Sequence, residues 1–235
     1  MRKYLINENL IKNNTIEILG DDFYHLKVVL RQKENDSIIC IGDNYSYNCI
    51  IKSLLKDRAV CEIISQQQNN KSDIKISIFQ AEIKQDKIEL IIQKANELGI
   101  SDITIFKSKF SQNNYLENKF DRFNKIAVES SKQCVRANPI VINKIISFNE
   151  MQECLNNYDL VIFAYEKSKN SLKEYLKNKK FNSVAIIVGP EGGFSEDEVL
   201  VLNKKYLDIS LGSQILRAET ACLYLASILK YEILG

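Results

Sequence analysis

Hydrophobic positions follow two different patterns along the chain. Up to about residue 65 they fall in short β-branched runs: Ile16-Glu17-Ile18, Ser37 to Ile41, Tyr47 to Ile51 and Ala59 to Ile63. Turn residues such as Gly42-Asp43-Asn44 separate them, which predicts strands. One short helix is expected from Asp21 to Leu30. Several short strands at close spacing predict a small β-barrel. The polar stretch Gln66 to Ser72 has no periodicity and reads as a linker. It divides the chain into a domain over 1–70 and a second over 71–235.

From Ile74 the pattern changes to strand–helix alternation. Strands are predicted over 74–83, 102–106, 140–146, 159–164, 183–188 and 207–211. Helices are predicted over 86–98, 119–136, 149–155, 171–178, 195–204 and 218–233. Ile88, Ile91, Ile92, Ala95 and Leu98 make one helical stripe, which Gly99 closes. Such alternation predicts an α/β domain, a mostly parallel sheet with helices on both faces. Its ligands belong at the carboxyl ends of the strands.

The most informative stretch runs from Ile186 to Val199. An apolar β-branched run ends at Gly189-Pro190-Glu191-Gly192-Gly193, where the glycines permit positive φ and close approach of the backbone to a ligand. Ser195 and Glu198 then form a capping box that starts a helix. The turn lacks the Lys-Ser/Thr ending of a phosphate loop and the G-x-G-x-x-G spacing of a dinucleotide site. Glu196, Asp197 and Glu198 fill the first helical turn, where they oppose a diphosphate and suit an adenosine bearing a cationic centre. A second strand ends at Leu211-Gly212, and Arg217, Glu219 and Thr220 open the last helix. Each charged residue alone reads as a solvated helix start. Two glycine loops at neighbouring strand ends raise the case for a site.

Composition narrows the class. The 235 residues allow one large or two small domains, and a net charge of +2 from 32 basic and 30 acidic side chains gives no basic tail. A local basic patch remains compatible with RNA. Six cysteines without a C-x-x-C pair suggest reduced thiols in the cytoplasm. A single histidine, His25, argues against a histidine-rich metal site. Neither a signal peptide nor a membrane span is expected.

Several of these stretches together resemble the RsmE family of small-subunit ribosomal RNA methyltransferases. The resemblance rests on Gly189 to Ser195, on Leu211-Gly212 with Ile215 to Ala221, and on Gln93-Lys94-Ala95-Asn96-Glu97-Leu98-Gly99. Gln133-Cys134-Val135-Arg136 near Pro139, and His25-Leu26 with Val29-Leu30-Arg31, extend it over most of the chain. Val135 stands where the family has glycine, and Ser213 where it has proline or glycine. The resemblance implies a SPOUT-type trefoil-knotted sheet, with a PUA-like β-barrel for RNA at the N-terminus. It implies S-adenosyl-L-methionine as cofactor, N3 of a uridine in 16S ribosomal RNA or the assembled small subunit as target, and a homodimer without metal. Cofactor binding then falls to Ala164, Tyr165, Gly189, Pro190, Glu191, Gly192, Leu211, Gly212, Ile215, Leu216, Ala218 and Thr220. Glu219 is the leading candidate base with Glu191 the alternative, and Arg217 is the candidate stabiliser of charge on a uracil oxygen. His25, Arg31, Lys84, Lys87 and Arg136 are candidate RNA contacts. The rivals are a non-catalytic RNA-binding module, a methyltransferase of another RNA and a nucleotide-dependent oxidoreductase.

Overall fold

The computed structural model describes residues 2–69, 74–112, 116–134, 136–176 and 181–234. The chain divides into two compact units, Met1–Lys71 with Ser131–Pro139, and Ser72–Ser130 with Ile140–Gly235.

The first unit is built on five strands: β1 (Arg2–Leu5), β2 (Thr15–Leu19), β3 (Ser37–Ile41), β4 (Tyr45–Leu54) and β5 (Arg58–Gln68). They form one sheet in the order β1-β3-β4-β5-β2. Only the β1–β3 pair is parallel. Tyr4, Ile16, Ile18, Ile38 and Ile51 pack in its core with Phe23 and Leu26. Cys40, Cys49 and Cys61 are free, buried thiols in the same cluster, where they act as small apolar side chains. The short helix expected near residue 21 appears as α1 (Gly20–Tyr24), continued by a π-helical turn over His25–Val29.

The polar stretch at the end of this unit is not all linker. Gln66, Gln67 and Gln68 belong to β5 and pair with Tyr47, Ser46 and Tyr45. Backbone ladder bonds hold them, and a strand end whose own side chains are all exposed needs no apolar alternation. Asn69 closes the ribbon, bonding the Gly42 carbonyl through Nδ2 and accepting from the Ser46 hydroxyl. Residues 70–72, the rest of the expected linker, and the boundary at 70/71 lie outside the described residues.

The second unit holds β6 (Lys75–Ala81), β7 (Asp102–Lys107), β8 (Val141–Ile142), β9 (Ile146–Ser147), β10 (Leu160–Ala164), β11 (Ser183–Val188) and β12 (Leu207–Ile209). Its helices are α2 (Gln85–Glu97), α3 (Phe120–Cys134, whose last residues are counted with the first unit), α4 (Phe148–Leu155), α5 (Leu172–Leu176), α6 (Glu196–Asn203) and α7 (Ala218–Leu234). The sheet order is β12-β10-β11-β6-β7-β8, and every pairing is parallel. The single strand expected over 140–146 is broken into β8 and β9. Between them Asn143 turns its amide onto the Thr104 hydroxyl at 2.9 Å. Residues 177 and 178 of the expected fourth helix lie outside the described residues.

Strand residues alternate between two cores. Ile76, Ile78, Ile103, Ile105, Ile162 and Ile186 pack with Ile88, Ile91 and Ala95 of α2, Phe123 of α3 and Cys222, Leu225 and Leu229 of α7. Phe79, Phe106, Phe163, Ala185 and Ile187 face the other way, toward Met151 and Leu155 of α4 and Leu202 of α6. A parallel sheet covered on both faces is the expected arrangement for such continuously apolar strands.

Candidate active site at the carboxyl ends of three strands

β11 lies between β6 and β10, and the chain then passes β10 to form β12. The reversal brings three carboxyl ends side by side, with Phe163 opposite Ile187 and Ala164 opposite Ile209. The loops that leave them share one end of the sheet, where such sheets bind ligands. The Tyr165 N–H donates to the Ile209 carbonyl at 3.0 Å, and the Ser210 N–H to the Asn170 carbonyl at 3.1 Å. Asn170 also donates from Nδ2 to the Asp208 carboxylate at 2.7 Å. The loop after β10 therefore holds the loop after β12.

The glycine loop after β11 is a tight turn, closed by the Gly193 N–H on the Pro190 carbonyl at 2.9 Å. Of its glycines only Gly193 has a positive φ, +73°. The freedom to take a positive φ is not used at Gly189 and Gly192, whose requirement is space. A Cβ on Gly189 would lie 3.1 Å from the Phe194 ring, and one on Gly192 3.2 Å from Cβ of Phe110. Phe194 anchors the turn, stacked parallel to Phe106 and edge-on to Phe163.

The capping box is present. The Ser195 hydroxyl accepts the Glu198 N–H, and Glu198 Oε2 accepts the Ser195 N–H at 2.9 Å. Oε1 of the same buried carboxylate accepts the Lys109 N–H at 2.9 Å, tying the loop after β7 to the start of α6. From β6, Gln80 Nε2 donates to the Gly189 carbonyl at 3.1 Å. Gln80 and the Glu198–Lys109 link were not singled out in the sequence. A lone glutamine inside the apolar run from Ile76 to Ala81 was the available signal for the first.

In the loop after β12, Leu211 and Leu216 pack against the core on the α7 side. Gly212 has a φ of +120°, and Ile215 is 85% exposed. Arg217 and Thr220 are exposed, whereas Ala218 and Glu219 are buried at the first turn of α7. Glu219 Oε1 lies 3.3 Å from Lys87 Nζ, and that ammonium also lies 3.8 Å from Asp86. Two residues expected in different roles, a base and an RNA contact, thus form one ion pair between α7 and α2. Glu191 is exposed on the glycine turn, Pro190 is buried, and Ala164 and Tyr165 are half-buried.

The remaining candidate RNA contacts fall in both units. Lys84 is exposed at the start of α2. In the first unit, His25 is half-buried on the π-helical turn. Arg31 is exposed and held at φ +53°, uncommon for a residue with a side chain. Burial holds the Arg136 guanidinium below its usual pKa.

Comparison with known proteins agrees with this geometry. The RNA methyltransferase domain family matches residues 70–230. The ribosomal RNA small subunit methyltransferase E of Bacillus subtilis is 31% identical over 99% of this chain and 97% of its own length. That of Rickettsia conorii is 33% identical over 98% of this chain and 94% of its own. The chain belongs to the ribosomal RNA small subunit methyltransferase E family. The fold is shared with the crystal structure of the Neisseria gonorrhoeae ribosomal RNA small subunit methyltransferase E bound to S-adenosyl methionine. That structure has a TM-score of 0.85 at 24% identity and covers 98% of this chain and 97% of its own. Among the described residues no cluster of three His, Cys, Asp or Glu side chains is placed to hold a metal ion. None of their helices is long and apolar enough to cross a membrane.

Proposed function

We propose that this protein transfers a methyl group from S-adenosylmethionine to N3 of one uridine in 16S ribosomal RNA. The observation that carries the reading is the set of three loops at one end of the parallel sheet, two of them glycine-bearing. The start of α6 fits this donor better than a dinucleotide. Its cap N–H groups are taken by Ser195 and Glu198, and Glu196 and Asp197 stand exposed beside the turn. A diphosphate would meet carboxylates there, whereas a sulfonium is welcome. Backbone groups of Gly189 to Gly192 and of Leu211 to Ala218, with Ala164 and Tyr165 as a third wall, hold the adenosine. When bound, the donor supplies an electrophilic methyl group and leaves as a thioether.

The chain's own side chains then have to prepare the nucleophile. A uracil N3 carries a proton and is a poor nucleophile until it is removed. Glu219 accepts that proton, and Lys87 at 3.3 Å holds the carboxylate in one orientation. Arg217 has no ion-pair partner among the described residues and is free to meet negative charge on a uracil oxygen. With the donor held there, methyl transfer to N3 would require no metal. Glu191, exposed on the turn, is the alternative base.

The same reading extends to architecture. The chain's passage from β11 past β10 to β12 supports a knotted SPOUT topology, and the first unit's sheet supports a PUA-like barrel for RNA. Arg31, His25 and Arg136 of that unit, with Lys84 of the other, serve as phosphate contacts. Exposed Tyr224 and Tyr231 on α7, with the bare Ile215, support a homodimer through that helix. The working compartment is the cytoplasm. Nucleoside mass spectrometry of small-subunit RNA from a strain lacking the gene tests the reading: 3-methyluridine should disappear from one position. Full modification at every such position would refute it.

A further inference from the structure

Gln80 is a fully buried amide near the carboxyl end of β6, in register with Val188, the last residue of β11. Its Nε2 donates to two carbonyls, those of Ala81 and Gly189, each at 3.1 Å. Those contacts fix which way the amide lies, because the reverse orientation would set its oxygen against two carbonyl oxygens. Oε1 then makes no hydrogen bond among the described residues. Buried side-chain acceptors are rarely left so, and each case needs a reason. Nε2 and Oε1 are ends of one planar group, so an oxygen with spare acceptor capacity lies at the base of the glycine loop. A structural glutamine serving only the loop would need Nε2 alone.

We propose that Gln80 is a positioning residue of the donor site. Nε2 sets the Gly189 carbonyl, and Oε1 accepts a hydrogen bond from an amino group of the bound methyl donor. This rests on the donor assigned above. The donor carries two such groups, the adenine 6-amino group and the amino-acid ammonium, and the test separates them. Calorimetric affinities are measured on wild type and Q80M with three probes. These are S-adenosylhomocysteine, its inosine analogue without the 6-amino group, and 5′-methylthioadenosine without the ammonium. Loosening of the loop weakens all three alike. Loss of the acceptor adds a further loss only for probes that carry the matching amino group. The expected result is that Q80M weakens S-adenosylhomocysteine roughly 30-fold, with a loss several-fold smaller for one of the two other probes. Thermal melting without ligand confirms that the variant is folded, and Q80N, whose shorter amide reaches neither partner, replaces it otherwise. Equal losses for all three probes, or unchanged affinity, would overturn the proposal. Failure of wild type to bind any probe would instead remove the donor assignment itself.

Discussion

Lys87→Met tests the ion pair at the centre of the proposed chemistry. The pair is close, 3.3 Å, and unequal, with the Glu219 side chain 8% exposed and that of Lys87 31% exposed. At an effective dielectric near 20, charges at that distance attract by about 5 kcal/mol. Desolvation of the buried carboxylate takes back most of this. Exposed pairs retain about 0–1 kcal/mol, and breaking a fully buried pair costs about 3–5. A half-covered pair belongs between these limits, with a coupling of about 2 kcal/mol. K87M should therefore destabilise the second unit by about 2–3 kcal/mol, because it strands a buried carboxylate. Glu219→Gln should cost less, and the double variant should be no worse than K87M. The assay is urea unfolding of all four proteins at neutral pH, followed by far-UV circular dichroism and closed as a double-mutant cycle. Single-turnover methylation on the same proteins should fall by on the order of a hundred-fold in E219Q. Additive stability losses, with coupling under about 0.5 kcal/mol, would mean that the two side chains do not meet and would refute the reasoning.

Other perturbations act on the loops. Glu198→Ala removes the capping-box acceptor and the partner of the Lys109 N–H; it should lower stability by about 2–3 kcal/mol and weaken S-adenosylhomocysteine binding, read by melting and calorimetry. Gly192→Val drives a branched side chain toward Phe110 and should weaken donor binding through a displaced turn, so unchanged affinity in a folded variant would count against the loop's role. Acid stability should respond to Glu89, whose carboxyl is held below the ordinary 4.5 chiefly by its hydrogen bond to Arg122, with further help from Gln85. A lowered folded pKa contributes stability that is present above the unfolded value and lost as pH falls through the folded one. Melting temperatures measured on either side of pH 4.5 should therefore drop less steeply on acidification in Glu89→Gln than in wild type.

Local signals made the second unit readable. A β-branched run, glycines and Ser-x-x-Glu placed β11, the turn and α6 within a residue of their ends, since every determinant lies inside that stretch. The stripe from Ile88 to Ala95 placed α2 and its buried face in the same way. The glycine turn was located, but which glycine needs φ and which needs space was not legible. Composition shows that a side chain is excluded, and only tertiary neighbours such as Phe110 and Phe194 show whether space or φ excludes it. Gln66 to Gln68 gave no strand signal because their side chains are all exposed and the backbone holds that strand end. β1 gave none either, being four residues that pair only with β3. The Lys87–Glu219 pair and the Gln80–Gly189 bond join residues far apart in the chain, and no local pattern encodes such a meeting. The rule that such sheets bind ligands at the carboxyl ends of their strands already pointed to both glycine loops as one site; the strand order explains why they are neighbours.

The most direct measurement is methylation of small-subunit RNA, naked or as assembled subunits, by the purified protein with S-adenosylmethionine, followed by nucleoside mass spectrometry. The account predicts 3-methyluridine as the one product, at one position, with on the order of a hundred-fold less formed per unit time by Glu219→Gln. A methyl group on any other atom, or no methylated nucleoside on either form of the substrate, would contradict it.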